Sequence, residues 1–272
     1  ADEYTEATGQ PRFVAGSIGP SGQLPSMNDP ELSLLSFDEL VDIFFEQALA
    51  LVEGGVDFIL IETSQDIIEV RAIIIAIQKA FQESGVFLPI QAQVTLDTSG
   101  RMLLGTNIEA ALTILEDLPI DVVGLNCSTG PTHMRQPIQF LGEHASKWVS
   151  CIPNAGLPIN QDGKAVYPLE PVPFAEALTE FVEKFHVSVI GGCCGSTPEH
   201  LAELVKRVSG RKQTPRHEQG ENKLASGIRA VTMTQEPPPL LIGERLNTQG
   251  SRKFKRIVLE EDMAAVLDLA RH

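Results

Sequence analysis

The sequence predicts an α/β fold of parallel strands covered by helices, and three observations carry that reading. Short apolar runs recur at Phe13–Ile18, Val56–Ile61, Ile90–Leu96, Asp121–Leu125, Trp148–Ile152 and Val187–Ile190. Their starts lie 43, 34, 31, 27 and 39 residues apart, near the ~30 residues or more of a strand–helix–strand unit. The runs lack clean alternation, as strands covered on both faces do. The segments between them carry apolar stripes at helical spacing.

The helices follow in order. Ser36 and Glu39 make a capping box, Phe37, Leu40, Val41, Phe44, Phe45, Ala48 and Leu49 form its stripe, and Gly54-Gly55 stop it. Ile67, Val70, Ile74, Ile77 and Phe81 make a second stripe ending at Gly85. Thr106 and Glu109 are expected to cap a third through Ile108, Ala111, Leu112 and Leu115. Phe174, Ala177, Leu178, Phe181 and Phe185 mark another. Thr197, with Pro198 in the first helical position, opens the helix of Leu201, Leu204 and Val205. Six such units in series fit an α/β barrel or a doubly wound sheet. From Ser209 to Pro239 the chain turns polar and proline-rich, reading as a linker with a short ordered piece at Ile228–Met233. Leu240–Gly243 then reads as a new strand and Ile257–Leu269 as a new helix, the start of a second domain.

Composition narrows the function. With 43% hydrophobic and 21% charged residues in 272, the chain can bury a sizeable core. A net charge of −15 argues against nucleic acid or an anionic membrane surface as partner. No apolar run reaches the ~18 residues of a membrane span. The first residues, Ala1 to Glu6, are acidic and polar, unlike a signal or transit peptide, and the absence of an initiator Met points to sequence upstream. Four cysteines are too few for a disulfide scaffold, which fits a reducing, cytoplasmic setting.

Three of those cysteines fall at strand C-terminal ends, where catalytic groups of α/β folds gather. Cys127 follows Val122–Asn126, and Cys193 and Cys194 follow Val189–Gly192. Three converging thiolates would make a zinc site with an open fourth position, and Gly191, Gly192 and Gly195 would let adjacent cysteines aim at one ion. The competing reading is buried thiols, which suits Cys151 in mid-strand. Ser17 to Pro20, Glu62 to Asp66 and Asn154 to Gly156 put polar groups at other strand ends. Glu62 would either accept from a substrate ammonium or serve as a helix-start charge, and Asp66 reads as the latter. Gly191–Gly195 before a helix start also suits a phosphate cradle, but it lacks the lysine and spacing of a P-loop. His200 is expected on the surface, and Arg252, Lys253, Lys255 and Arg256 in a solvated loop.

These strand-end motifs together resemble a known family. Gly124–Pro131 (GLNCSTGP), Gly191–Gly195 (GGCCG), Gly16–Pro20 (GSIGP), Ile61-Glu62-Thr63 and Pro153–Gly156 (PNAG) resemble, in order, the homocysteine-binding domain of homocysteine methyltransferases. The resemblance implies a (βα)8 TIM barrel with zinc held by Cys127, Cys193 and Cys194 and the homocysteine sulfur as fourth ligand. It implies Glu62 at the substrate ammonium, with Ser17 and Asn154 orienting the site. Ile242–Ser251 (IGERLNTQGS) resembles the opening of the pterin-binding barrel in cobalamin-dependent methionine synthases, which would turn Glu244 and Asn247 toward methyltetrahydrofolate. The implied methyl donor is methylcobalamin on a corrinoid-binding module outside this chain. The implied domains are 1–209 (homocysteine-binding), 210–239 (linker) and 240–272 (start of the pterin-binding domain). The family's barrel begins with two further strands, so the resemblance implies six of eight units here, with Ala1–Gln10 as the end of a preceding helix. A betaine- or S-methylmethionine-dependent methyltransferase and an inactive zinc-stabilised domain are the alternatives.

Overall fold

The computed structural model describes residues 1–27, 31, 33–216, 222–241 and 246–271. They form two compact units, Ala1–Val231 and Thr232–His272. The first opens with helix α1 (Asp2–Thr8), then β1 (Ala15–Ile18), α2 (Phe37–Glu53), β2 (Phe58–Ser64), α3 (Ile67–Ser84), β3 (Ile90–Val94), α4 (Ile108–Glu116), β4 (Val122–Asn126), α5 (Pro131–His144) and β5 (Trp148–Ile152). A hairpin of β6 (Ile159–Gln161) and β7 (Lys164–Val166) precedes α6 (Pro171–Phe185), β8 (Val189–Ile190), α7 (Pro198–Val208), β9 (Lys223–Ala225) and β10 (Ala230–Thr232).

The six main strands are parallel and pair in the order β1-β2-β3-β4-β5-β8. A doubly wound sheet reverses its strand order at a switch point. This one never reverses, and the sheet curls as six strands of a barrel with β1 and β8 at its edges. Strand residues Ile59, Ile61, Ile90, Ala92 and Val94 enter one core with Leu40, Phe44, Ile74, Phe81, Phe174 and Phe181 of the helices.

The helix signals act largely as read. Ser36 and Glu39 form the capping box of α2, Asp66 accepts from Ile68 N at 2.8 Å and so caps α3, and Gly85 ends α3 at φ 71°. The cap of α4 is Asn107 rather than Thr106. Its Oδ1 accepts from Ala110 N at 2.9 Å, whereas the Thr106 hydroxyl is spent on the Gly227 carbonyl.

On the other face of β3, Gln93 reaches Ser150 of β5 at 3.0 Å, both fully buried. Gly124 of β4 lies between them in register. A Cβ there would overlap Ser150 Oγ and its carbonyl oxygen, so only glycine leaves room for that buried bond.

Three serine–carboxylate pairs tie β1 and the chain after it to the end of β2 and the start of α3. Ser17 donates to Glu62, Ser21 to Glu69 and Ser26 to Asp66. The Ser21 and Ser26 amides add bonds of 2.8 Å to the same two acids. Glu69 and Asp66 are each 1% exposed. Burial holds the Glu69 carboxyl above its usual range, with the Asp66 charge adding and the Ser21 donors opposing.

Within the first unit, the polar chain after α7 is tied back at several points. Arg216 donates to the carbonyls of Leu141, Gly142 and Ala145 at 3.1, 3.3 and 2.8 Å, satisfying the end of α5. Lys223 pairs with Glu109 at 3.4 Å. The expected piece at Ile228–Met233 contributes β10, paired with β9. In the second unit the expected helix is two, α8 (Arg252–Leu259) and α9 (Met263–Arg271). Arg252, Lys253, Lys255 and Arg256 therefore lie on a helix rather than in a loop. Of the strand expected at Leu240–Gly243, Leu240 and Leu241 are not in a strand, and Ile242 and Gly243 lie outside the described residues.

Two outcomes follow. Gly124→Ala should cost about 1–3 kcal/mol by overpacking, read as a lower urea midpoint; an unchanged midpoint would contradict the packing. A carboxyl whose folded pKa is raised adds stability at low pH and loses it as pH rises through that pKa. Glu69→Gln, which keeps an acceptor for Ser21, should therefore match the parent near ~pH 4 and exceed its stability toward ~pH 7. Urea midpoints across that range check it, and a parent that gains on the variant with rising pH would refute it.

Candidate metal centre

The site is built at the C-terminal ends of β4, β5 and β8. Beyond Asn126 the backbone turns sharply: Cys127 and Ser128 take φ of 58° and 60°, a left-handed conformation uncommon outside glycine and costly where it occurs. The Cys127 amide still donates to the Ile152 carbonyl at 3.1 Å. Gly130 then passes so close to Gly156 that a Cβ would come within 2.7 Å of its Cα.

The turn carrying the other two cysteines is shaped by the end of β5. The Cys193 amide donates to the Pro153 carbonyl at 2.8 Å, and the Ala155 amide to the Cys194 carbonyl at 2.9 Å. The Cys194 amide donates to Asn154 Oδ1 at 3.1 Å. Asn154 is buried, and its own amide reaches the Thr129 carbonyl at 3.1 Å.

These constraints bring three sulfurs together. Cys194 Sγ lies 3.8 Å from Cys127 Sγ and 4.0 Å from Cys193 Sγ, and all three fall within 4.8 Å of one another. Thiolates bonded to zinc at about 2.3 Å in a tetrahedron stand about 3.8 Å apart, so spacing and donor type both fit that ion. Burial first, then the neighbouring Cys127 and Cys194 sulfurs, push the Cys193 thiol up to about 12. Burial likewise raises Cys127, with the Cys194 sulfur adding to it. A soft divalent cation that replaces those protons is what such a donor set favours. Cys151 stands apart: it is fully buried in β5, 3.9 Å from the Met134 sulfur, and burial alone drives its thiol far above the usual range.

Beside the sulfurs stands a polar cluster. Ser17 donates to Glu62 Oε1. Asn126 Nδ2 donates to Glu62 Oε2 at 3.3 Å and to Thr63 Oγ1 at 2.9 Å, while its Oδ1 accepts from the Thr63 amide at 2.7 Å. Thr95 Oγ1 adds a bond to the Asn126 carbonyl at 2.9 Å. Thr63 itself sits at φ 60°. Asn126, fully buried and adjacent to Cys127, thus ties the carboxylate end of β2 to the thiol end of β4. A polar residue closing the apolar run Val122–Leu125, immediately before a cysteine, was its signal in the sequence.

Two further residues escaped the sequence reading. Tyr167, at the end of the β6–β7 hairpin, lies over Gly195, where a Cβ would overlap its ring. Burial raises the Tyr167 phenol, with the neighbouring Cys194 sulfur adding to it. The hairpin was legible in the Asp162-Gly163 pair, whose φ of 54° and 79° make the tight turn that suits antiparallel strands. His200, expected on the surface, is buried, because its ring turns inward against Phe174. In the second unit Asn247 Oδ1 accepts from the Gln249 and Gly250 amides at 2.8 and 3.4 Å. Glu244 lies outside the described residues.

Comparisons with known proteins bear on this arrangement. The family model for homocysteine S-methyltransferase matches residues 1–208. Over 260 residues the chain is 40% identical to a methionine synthase of Mycobacterium tuberculosis (strain ATCC 25618 / H37Rv), covering 96% of this chain and 21% of the relative. It is 38% identical over 276 residues to that of Mycobacterium leprae (strain TN), covering 100% of this chain and 22% of the relative. The chain thus spans about a fifth of the length of these curated relatives. In structure it resembles the apo homocysteine methyltransferase MmuM of Escherichia coli, with a TM-score of 0.58 and 21% identity over 76% of this chain and 67% of that one. The metallated form of that protein gives 0.57 and 21%, over 76% and 65%. At that identity the likeness is one of fold.

Asn126→Ala would remove the buried acceptor of the Thr63 amide and the donor to one Glu62 oxygen. A loss of about 2–3 kcal/mol is expected, measured by urea unfolding; a change under ~0.5 kcal/mol, ordinary for a surface position, would show that the network carries no weight.

Proposed function

Because the chain belongs to the homocysteine S-methyltransferase family, we propose that it carries the zinc and homocysteine site of a methionine synthase. In this reading Cys127, Cys193 and Cys194 hold a zinc ion, and the thiol of homocysteine takes the fourth position and is methylated to methionine. The observation that carries it is the sulfur spacing of 3.8 and 4.0 Å, which matches a tetrahedral thiolate set. The metallated form known for the Escherichia coli relative supports it.

Bound zinc would supply the charge that keeps an incoming thiol deprotonated near neutral pH. The remaining work falls to this chain's own groups. Glu62, half-buried and unpaired with any Lys or Arg among the described residues, offers its carboxylate to the substrate ammonium. Ser17 and Asn126 hold its two oxygens in place. Asn154 orients the site through the Cys194 backbone. Dividing the roles this way leaves the cysteines to the metal and the carboxylate to substrate binding.

The similarity to both mycobacterial methionine synthases runs through the second unit, which supports the wider assignment. Residues 1–209 are the homocysteine-binding domain, 210–239 the linker and 240–272 the start of a pterin-binding domain. Methylcobalamin, carried by a corrinoid module, is the methyl donor, and methyltetrahydrofolate, met in part by Glu244 and Asn247, is its source. A cytoplasmic setting completes this reading. Separately, no helix among the described residues is long and apolar enough to cross a membrane.

Zinc content after reconstitution tests the centre. About one zinc per chain is expected for the parent and for Cys151→Ala, and less than ~0.2 for Cys127→Ser. A parent below ~0.2, or a Cys127→Ser variant that binds like the parent, would overturn the assignment.

A further inference from the structure

His200 does more than a helix cap requires. It lies in the first turn of α7, and both ring nitrogens are used. Nδ1 is 3.2 Å from the Thr197 amide and 2.9 Å from the Thr197 hydroxyl. Nε2 is 2.7 Å from the Leu169 carbonyl. A carbonyl only accepts, so Nε2 carries the hydrogen and Nδ1 accepts the Thr197 amide, which defines a neutral tautomer.

Leu169 is clamped from the other side as well. Its amide donates to the Ala155 carbonyl at 3.0 Å, and its Cβ packs 3.1 Å from the position a Cβ of Gly156 would occupy. Two residues earlier Tyr167 covers Gly195, and the intervening Pro168 fixes its own φ, so a shift at Leu169 is passed on to the ring. His200 also meets Phe174 edge to face at 5.3 Å. Phe174 in turn supports the cysteine turn at Gly192, 3.4 Å from the place of a Cβ. The imidazole therefore braces both the hairpin stem and the loop that presents Cys193 and Cys194.

We propose that His200 is a positioning residue for the three-cysteine centre, holding the Leu169 carbonyl so that Tyr167 stays against Gly195 beside Cys194. As a reading of metal affinity this rests on the zinc assignment above; as a reading of how the turn at Cys193 and Cys194 is held it does not.

Cobalt(II) alone serves as the probe, through its thiolate charge-transfer and d–d bands. Removing an outer partner of a metal ligand costs about 10–100-fold in affinity. His200→Phe and Tyr167→Ala should each weaken cobalt binding about tenfold and move the bands in the same direction. The double variant should be no worse than either single one, since both act through one contact. His200→Gln, which keeps an N–H donor, should restore parent behaviour. A His200→Phe variant with the parent's affinity and spectrum, or effects that add, would overturn the proposal. A parent without thiolate bands would instead fail the zinc assignment, and a metal-free measurement then decides the positioning role. In it, hydrogen exchange at the Cys193 and Cys194 amides, which bond the Pro153 carbonyl and Asn154 Oδ1, should quicken severalfold in His200→Phe and Tyr167→Ala and return to parent rates in His200→Gln. Equal rates in parent and His200→Phe refute it. Should His200→Phe not fold, His200→Asn, which can still cap at Thr197 but is too short for Leu169, takes its place with the same expectations.

Discussion

The backbone of Ile152–Ala155 is the constraint on which the rest of the site depends. It ends the strand between β4 and β8, and it binds the loops on both sides. The Ile152 carbonyl takes the Cys127 amide, the Pro153 carbonyl takes the Cys193 amide, and Ala155 donates to Cys194. The Asn154 side chain takes the Cys194 amide. Three sulfurs 67 residues apart in sequence at their extremes are thus set by one short stretch of main chain. Those bonds fix the loops, and the loops bring the three sulfurs within 4.8 Å of one another.

Holding a site this way has a cost, visible as left-handed backbone at Thr63, Cys127 and Ser128. Such conformations survive only where surrounding bonds over-determine them. Here Asn126 does that for Thr63 through three polar contacts with Glu62 and Thr63, and the Ile152 and Thr129 contacts do it around Cys127. The polar network and the strained turns are therefore one device. Glycine plays the complementary part, since Gly124, Gly130 and Gly195 are places where neighbouring groups come too close for any side chain.

The acidic residues after β2 show how similar side chains divide their work. Glu62 is half-buried and faces the site, while Asp66 and Glu69, a few residues on, are buried under the chain that follows β1. Each takes a serine hydroxyl, yet only the inner two also take backbone amides. Burial with amide donors makes Asp66 and Glu69 fasteners of a loop, and partial exposure leaves Glu62 available for chemistry.

Much of this was legible in the residues alone. Strand spacing and unbroken apolar runs yield six parallel strands, and capping residues place the helices within a few positions. A Cys-Cys pair in a glycine-rich strand end marks the centre. The choice between a barrel and a doubly wound sheet was not readable from periodicity, because both repeat the same unit and differ only in which strands pair. Resemblance of the strand-end motifs supplied that choice, and the strand order bears it out. What only the tertiary structure decided concerns contacts between residues far apart in the chain. His200 looked like a surface residue because its helix position says nothing of a ring turned toward a carbonyl 31 residues away. Tyr167 carried no pattern at all, since its place over Gly195 depends on a hairpin packing against a distant turn. Local signals determine elements and donor types because those depend on neighbours in sequence; the brace around the cysteines depends on neighbours in space.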